Sequence, residues 1–183
     1  MSRYIAFLRA INVGGGRTIK MKSLRQPFES LGFSKVTTFM ASGNVVFETT
    51  IRTVKSLEKK IKKRLQEALG YEVAVLIRTD AELAKIANYK PFSRPKIDAA
   101  TEFNIIFLAN TLDKKITQKV RALQTETDEF RVHGREIYWL RRPKQCRSTF
   151  STMPLEKTLG RPFTIRAAKT VKKMALKYSS TKS

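Results

Sequence analysis

The chain has 183 residues, 42% of them hydrophobic, so it can bury a real core and is not a disordered polymer. Its 37 Lys and Arg against 15 Asp and Glu give a formal charge of +22, a field that attracts nucleic acid, anionic membrane or acidic partners and says nothing of the fold. A single cysteine, Cys146, excludes an internal disulfide, and a single histidine, His133, leaves no His/Cys set for zinc, so no metal or other cofactor is expected.

From Arg3 to Ile11 the apolar residues run nearly without break and are rich in aromatic and β-branched types, which predicts a buried strand. Its apolar run before Arg9 is too short for a signal peptide or a membrane span, so the expected location is the cytoplasm, away from membranes. Three glycines, Gly14, Gly15 and Gly16, end the strand. Leu24, Phe28 and Leu31 then recur at helical spacing, with Pro27 predicting a kink or a later helix start. Gly32 stops that helix, Lys35 to Ala41 reads as a second strand, Ser42 to Asn44 as a turn, and Val45 to Thr49 as a third strand.

Between Thr53 and Gly70 the residues Val54, Leu57, Ile61, Leu65 and Leu69 form one apolar stripe, while Lys55, Lys59, Lys60, Lys62, Lys63 and Arg64 fill the other faces. Tyr71 to Arg78 follows as a fourth strand. The resulting order of strand, helix, strand, strand, helix, strand is the split β-α-β, ferredoxin-like pattern.

Asp80 is the expected cap of a helix from Ala81 to Asn88, and the proline-bearing stretch from Tyr89 to Thr101 reads as a boundary loop. Beyond it come a strand (Glu102 to Ala109), a helix (Asp113 to Gln124) and a hairpin (Glu129 to Val132, Glu136 to Leu140) with Gly134 at its tip. Two helices close the chain, near Pro154 to Leu159 and Ile165 to Lys177. The fold class is therefore α+β: a ferredoxin-like N-terminal half (1–79) packed against a second α+β half (80–178) of related β-α-β-β-α order that lacks the last strand, with 179–183 as a tail.

In such a sheet the third strand lies between the first and the second and runs opposite to both. The loop leaving the first strand and the turn joining the second to the third then share one end. That gathers Asn12, Gly14, Gly15, Gly16, Ser42, Gly43 and Asn44, with Arg9 at the strand end and Arg17 nearby. Backbone N–H groups freed by glycine beside a helix start suit an anion. The triplet is neither a Walker loop nor a dinucleotide fingerprint, and the alternative is that Asn12 and Asn44 bond only their own turns. Tyr4, Phe7 and Phe47 invite comparison with the base-stacking strands of RNA-recognition domains, yet alternation puts Val45 with Phe47, and Tyr4 with Ala6 and Leu8, on shared faces that read as core. Trp139, between apolar strand residues, reads as core too, and Arg141, Arg142, Lys144 and Arg147 as a basic loop.

The runs "YIAFLRAINVGG", "MKSL", "LGFSKVTTFMASGNVVFE" and the late "TIRAAKTVKKM" together resemble the mostly bacterial family called domain of unknown function 1697, over nearly the whole chain from Tyr4 to about Met174. The resemblance implies a two-part α+β protein with a ferredoxin-like first half and supplies no established reaction. Among the positions that match the family are Arg9, Asn12, Gly14, Gly15, Ser42, Gly43, Asn44 and, in the late run, Thr164, Arg166 and Thr170. Departures are Ala10 in place of the usual glycine, Ala41 in place of glutamine, and Ala167 with Ala168 in place of Asn-Trp. An activity that needs those groups would be lost or altered here.

The leading functional expectation is binding of an anionic group, most naturally a nucleic-acid phosphate, by the glycine loop and the Ser-Gly-Asn turn, with Arg9 and, by analogy with the family motif, Arg166 as counter-charges. One alternative is an enzyme acting on a small phosphorylated or carboxylated metabolite. Neither loop holds a histidine, a paired carboxylate or an activated nucleophile, and nothing marks a base for a Cys146–His133 pair. Another is a protein-interaction module whose basic helix, Lys55 to Arg64, docks an acidic partner.

Overall fold

A computed structural model describes residues 1–9, 19–40, 43–143 and 152–179. The described residues are α+β, with eight strands in two four-stranded antiparallel sheets and seven helices. The chain divides into two compact units, Met1–Lys85 with Met174–Ser183, and Ile86–Lys173.

The first unit runs β1 (Ser2–Leu8), α1 (Met21–Glu29), β2 (Ser34–Thr38), β3 (Asn44–Thr49), α2 (Val54–Leu69) and β4 (Val75–Thr79). Its strand order is β2-β3-β1-β4, so β3 lies between β1 and β2, as the split β-α-β reading requires. Pro27 neither delays nor ends α1 at once: the helix starts at Met21 and runs two residues past the proline to Glu29. The ring's missing N–H costs a single backbone bond close to the helix end, where the loss is smallest. α2 follows its apolar stripe and ends at Gly70, whose φ of 75° is the left-handed cap conformation.

One face of this sheet carries Tyr4, Ala6, Leu8, Val45, Phe47, Val75 and Ile77, closed by Leu24 and Phe28 of α1 and Leu57, Ile61 and Leu65 of α2. Each of those helix leucines and isoleucines is fully buried, worth about 1.5–3 kcal/mol apiece. The opposite face, with Ile5, Phe7, Val46 and Arg78, is buried as well. Tyr4, Phe7 and Phe47 are 3%, 0% and 0% exposed, so none of these rings offers a face to a nucleic-acid base.

Lys35 has a φ of 49° at a register shift in the β2–β3 pairing, and its ammonium reaches Glu48 at 3.0 Å. Arg3 donates to the same carboxylate from β1 at 2.9 Å, so Glu48 ties three strands. Hydrogen bonds from Lys35 and then Arg3 hold its pKa below the ordinary carboxylate value, outweighing the opposing effect of burial. A lowered folded-state pKa contributes stability that is complete above the unfolded value of about 4.3 and is lost as pH falls through the folded one. Glu48→Gln is therefore expected to cost more at pH 7 than at pH 3 in urea denaturation. Equal costs at the two pH values would show that the carboxylate's charge is not what ties the strands.

The second part of the chain runs α3 (Asp80–Asn88), α4 (Arg94–Asp98), β5 (Glu102–Leu108), α5 (Lys114–Ala122), β6 (Asp128–His133), β7 (Glu136–Arg141), α6 (Met153–Leu159), β8 (Phe163–Ala167) and α7 (Ala168–Tyr178). Its sheet order, β6-β7-β5-β8, repeats that of the first unit. The expected helix from Ile165 is corrected here: Phe163–Ala167 is the last strand, antiparallel to β5, and the helix begins only at Ala168. Phe163 and Ile165 face the core while Thr164 and Arg166 share the other side of the strand, an alternation of only five residues that passes straight into α7 and so reads as part of the helix.

The cap of α3 is also corrected. Thr79 Oγ1 accepts from Glu82 N–H at 3.1 Å while Glu82 accepts from Thr79 N–H at 2.9 Å, a reciprocal capping box one residue before Asp80. The expected boundary loop contains the short helix α4, whose proline lies in its first turn. The β6–β7 hairpin turns on Gly134 and Arg135 between paired His133 and Glu136, with Gly134 at a φ of 60°. Trp139 lies in the core formed by Ile106, Leu108, Phe130, Ile137, Phe163, Val120, Leu155 and Leu159.

Candidate anion-binding site

The exit of β1 and the start of β3 lie side by side. Phe7 pairs with Asn44, Leu8 N–H donates to Gly43 O at 2.9 Å, and Arg9 N–H donates to Ala74 O at 3.0 Å. Arg9, half-buried, therefore stands at the same sheet end as Gly43 and Asn44. Asn12, Gly14, Gly15, Gly16, Arg17 and Ser42 lie outside the described residues, as do Cys146, Lys144 and Arg147.

Asn44 is fully buried, and its side-chain amide donates to Phe39 O at 3.0 Å while Phe39 N–H donates to Asn44 O at 2.9 Å. The side chain thus clamps the turn between β2 and β3. That turn holds two left-handed residues, Met40 at a φ of 58° and Gly43 at 69°. Gly43 carries no Cβ to strain there, and its carbonyl is the one that receives Leu8.

Arg166 belongs to the other sheet. It stands on β8 opposite Ile105 and is 8% exposed, with Nη1 donating to Thr164 Oγ1 at 2.6 Å and to Ile165 O at 2.8 Å. Burial pulls its pKa down to about 10, which leaves the guanidinium charged at neutral pH.

The exposed cations are concentrated on helices. On α2, Lys55, Lys59, Lys60, Lys62 and Lys63 face solvent. Lys62 pairs with Glu72, and Glu67 lies 4.0 Å from Lys63 and 3.4 Å from Arg64. Among the described residues no carboxylate comes within ion-pair distance of Lys55, Lys59 or Lys60. Lys114, Lys115, Lys119 and Arg121 present a similar exposed set on α5.

Sequence reasoning missed one charged cluster. Glu129 on β6 is 6% exposed at its side chain and receives Lys96 of α4 on both oxygens, at 3.1 and 3.0 Å, Arg131 of β6 at 2.5 Å and, as a looser contact at 3.5 Å, Arg142 beyond β7. The four residues are scattered along the chain, and no local spacing announces their meeting.

Among the described residues no group of three or more His, Cys, Asp and Glu side chains is placed to hold a metal ion. No helix there is long and apolar enough to cross a membrane.

The conserved bacterial protein SP0830 from Streptococcus pneumoniae has a similar fold: its structure superposes with a TM-score of 0.72 at 23% identity, over 97% of this chain and 98% of that one. No curated protein matches the chain. The family described as protein of unknown function (DUF1697) matches residues 1–138, well over half of the sequence, and the chain belongs to that family.

Proposed function

We propose that the protein binds nucleic acid through its phosphate backbone, with the solvent face of α2 as the principal contact. The observation that carries this reading is that Lys55, Lys59 and Lys60 are exposed with no carboxylate of the described residues in reach, on a chain of charge +22. Lysines committed to internal ion pairs release little on binding, whereas uncommitted ones displace condensed counterions from the duplex. The binding expected is tolerant of sequence and steeply dependent on salt, since the rings that would read bases are buried.

Titration of unrelated duplex and single-stranded oligonucleotides across a salt series tests it. The triple substitution Lys55→Gln, Lys59→Gln and Lys60→Gln is expected to flatten the slope of log K against log salt by about 0.9 per lost duplex contact. No binding at low salt, or an unchanged slope, would remove α2 from the reading. An acidic protein captured in place of nucleic acid would favour the interaction-module alternative.

A second reading, a small molecule bearing phosphate or carboxylate at the end of the first sheet, draws support from the Leu8–Gly43 hydrogen bond, which brings Arg9 to the same end as Gly43. Crystals soaked with nucleotides and sugar phosphates test it, and the absence of an ordered ligand near Arg9 at millimolar concentration would count against it.

A further inference from the structure

We infer that the Lys96–Arg131–Arg142 cluster around Glu129 is a receptor for a phosphomonoester dianion. This inference stands apart from the α2 reading and uses residues of the second unit alone. Its basis is a mismatch of charge and of hydrogen bonding. One carboxylate accounts for one cation, yet three surround Glu129, leaving an excess of two positive charges at a single spot.

The neighbouring carboxylates do not cancel that excess. Asp128 and Glu102 pair across the strands with Arg141, Asp128 on the opposite face of β6 from Glu129, and they lie 3.3 and 3.5 Å from the Arg141 guanidinium. Asp98 is taken by Arg94 within α4 at 2.8 Å. The surplus therefore belongs to Lys96, Arg131 and Arg142.

Arg142 is the least committed of the three. Its Nη2 stands 3.5 Å from Glu129, and its Nε is buried without a hydrogen-bond partner among the described residues. Arg131, by contrast, also donates to Phe130 O at 3.1 Å and Gln124 Oε1 at 3.4 Å and lies over the Phe92 ring at 5.7 Å. A planar guanidinium held by charge alone keeps its donor fork for a ligand.

The layering also suits an incoming anion. The Glu129 side chain is 6% exposed, whereas Lys96, Arg131 and Arg142 are 47%, 42% and 42% exposed, so an anion arriving from solvent meets the donors before the carboxylate. A phosphodiester would cancel half of the surplus. A phosphomonoester carries about −1.5 to −2 at neutral pH and matches it.

Isothermal titration of the full chain with inorganic phosphate is the test. One saturable site is expected, and Lys96→Gln and Arg142→Gln should each weaken it about ten- to a hundredfold, the loss of a charge-assisted hydrogen bond. Both side chains are nearly half exposed, so these variants should fold. Glu129→Gln, which removes the competing internal anion, should tighten binding, and circular dichroism checks its fold. No saturable phosphate binding at millimolar concentration, or binding unchanged in both Lys96→Gln and Arg142→Gln, would overturn the inference.

Two further titrations identify the source of the phosphate. A 5′-phosphorylated oligonucleotide that outbinds its 5′-hydroxyl twin points to nucleic-acid ends, and a nucleoside monophosphate that binds while the twins do not differ points to a small metabolite. Because α2 is untouched in the Lys96 and Arg142 variants, salt-dependent binding of the unphosphorylated duplex should persist in them, so either proposal can fail alone.

Discussion

Phe47→Ala is expected to lower the unfolding free energy by about 3–5 kcal/mol, the usual cost of deleting a fully buried aromatic ring. Phe47 is 0% exposed and sits at the centre of an aromatic cluster: its centroid is 4.7 Å from Phe33, 5.5 Å from Phe28 and 5.8 Å from Tyr4. Those neighbours come from the segment after α1, from α1 itself and from β1, so the cavity opens where helix and sheet meet. Domains of ordinary size have only about 5–15 kcal/mol in hand, and the variant should therefore populate unfolded chain at modest urea concentration. Phe47→Leu keeps most of the apolar volume and should lose much less. A ring used for stacking on bases would behave oppositely, with stability nearly unchanged and RNA affinity reduced. A urea midpoint for Phe47→Ala within error of the parent's would put the ring outside the core.

What could be read from the sequence divides along the range of the interactions involved. The α2 helix was readable because Leu57, Ile61 and Leu65 repeat every four residues and Gly70 stops them. The adjacency of β1 and β3 was readable because topology leaves few ways to place a third strand after a crossover. β8 was not, because its alternation of Phe163 and Ile165 with Thr164 and Arg166 lasts only five residues and runs directly into the helical spacing of α7, so the short strand is absorbed into the helix pattern.

The same distinction governs the candidate sites. Ser-Gly-Asn was recognised as turn chemistry, but that the Asn44 amide reaches back to Phe39 O at 3.0 Å is a contact across the turn that residue types alone do not specify. The cluster at Glu129 depends on contacts from α4 and from beyond β7, separated by 33 residues for Lys96 alone, and a charge count spreads those cations evenly over the surface. Net charge predicted attraction to anions, and it could not say which lysines are spent on carboxylates and which are not. That partition is what turns a basic protein into a surface with particular contact points.

Asp128→Ala is the most damaging polar substitution expected in the second unit, at about 3–5 kcal/mol, because it removes one buried acceptor of several hydrogen bonds and each buried donor left unsatisfied costs about 1–3 kcal/mol. Asp128 Oδ1 accepts from the indole N–H of Trp139 at 2.7 Å and from Arg141 Nε at 3.3 Å, while Oδ2 accepts from Thr127 Oγ1 at 2.9 Å. Trp139 is 4% exposed, so its buried N–H is left without that acceptor. Arg141, which lies over the Trp139 ring at 4.9 Å, keeps Glu102 at 3.5 Å and is the less affected partner. Asp128→Asn retains an oxygen for the indole and loses only the charge, so its cost should fall well below that of alanine. If the two substitutions cost the same in urea denaturation, the charge rather than the indole bond is the dominant contribution, and the core tryptophan is held by packing alone. Asp128→Asn also bears on the phosphate receptor, because it leaves the backbone bond from Arg142 N–H to Thr127 O, 2.8 Å long, in place. Inorganic phosphate should therefore bind this variant as it binds the parent, which separates damage to the core face of β6 from damage to the face that carries Glu129.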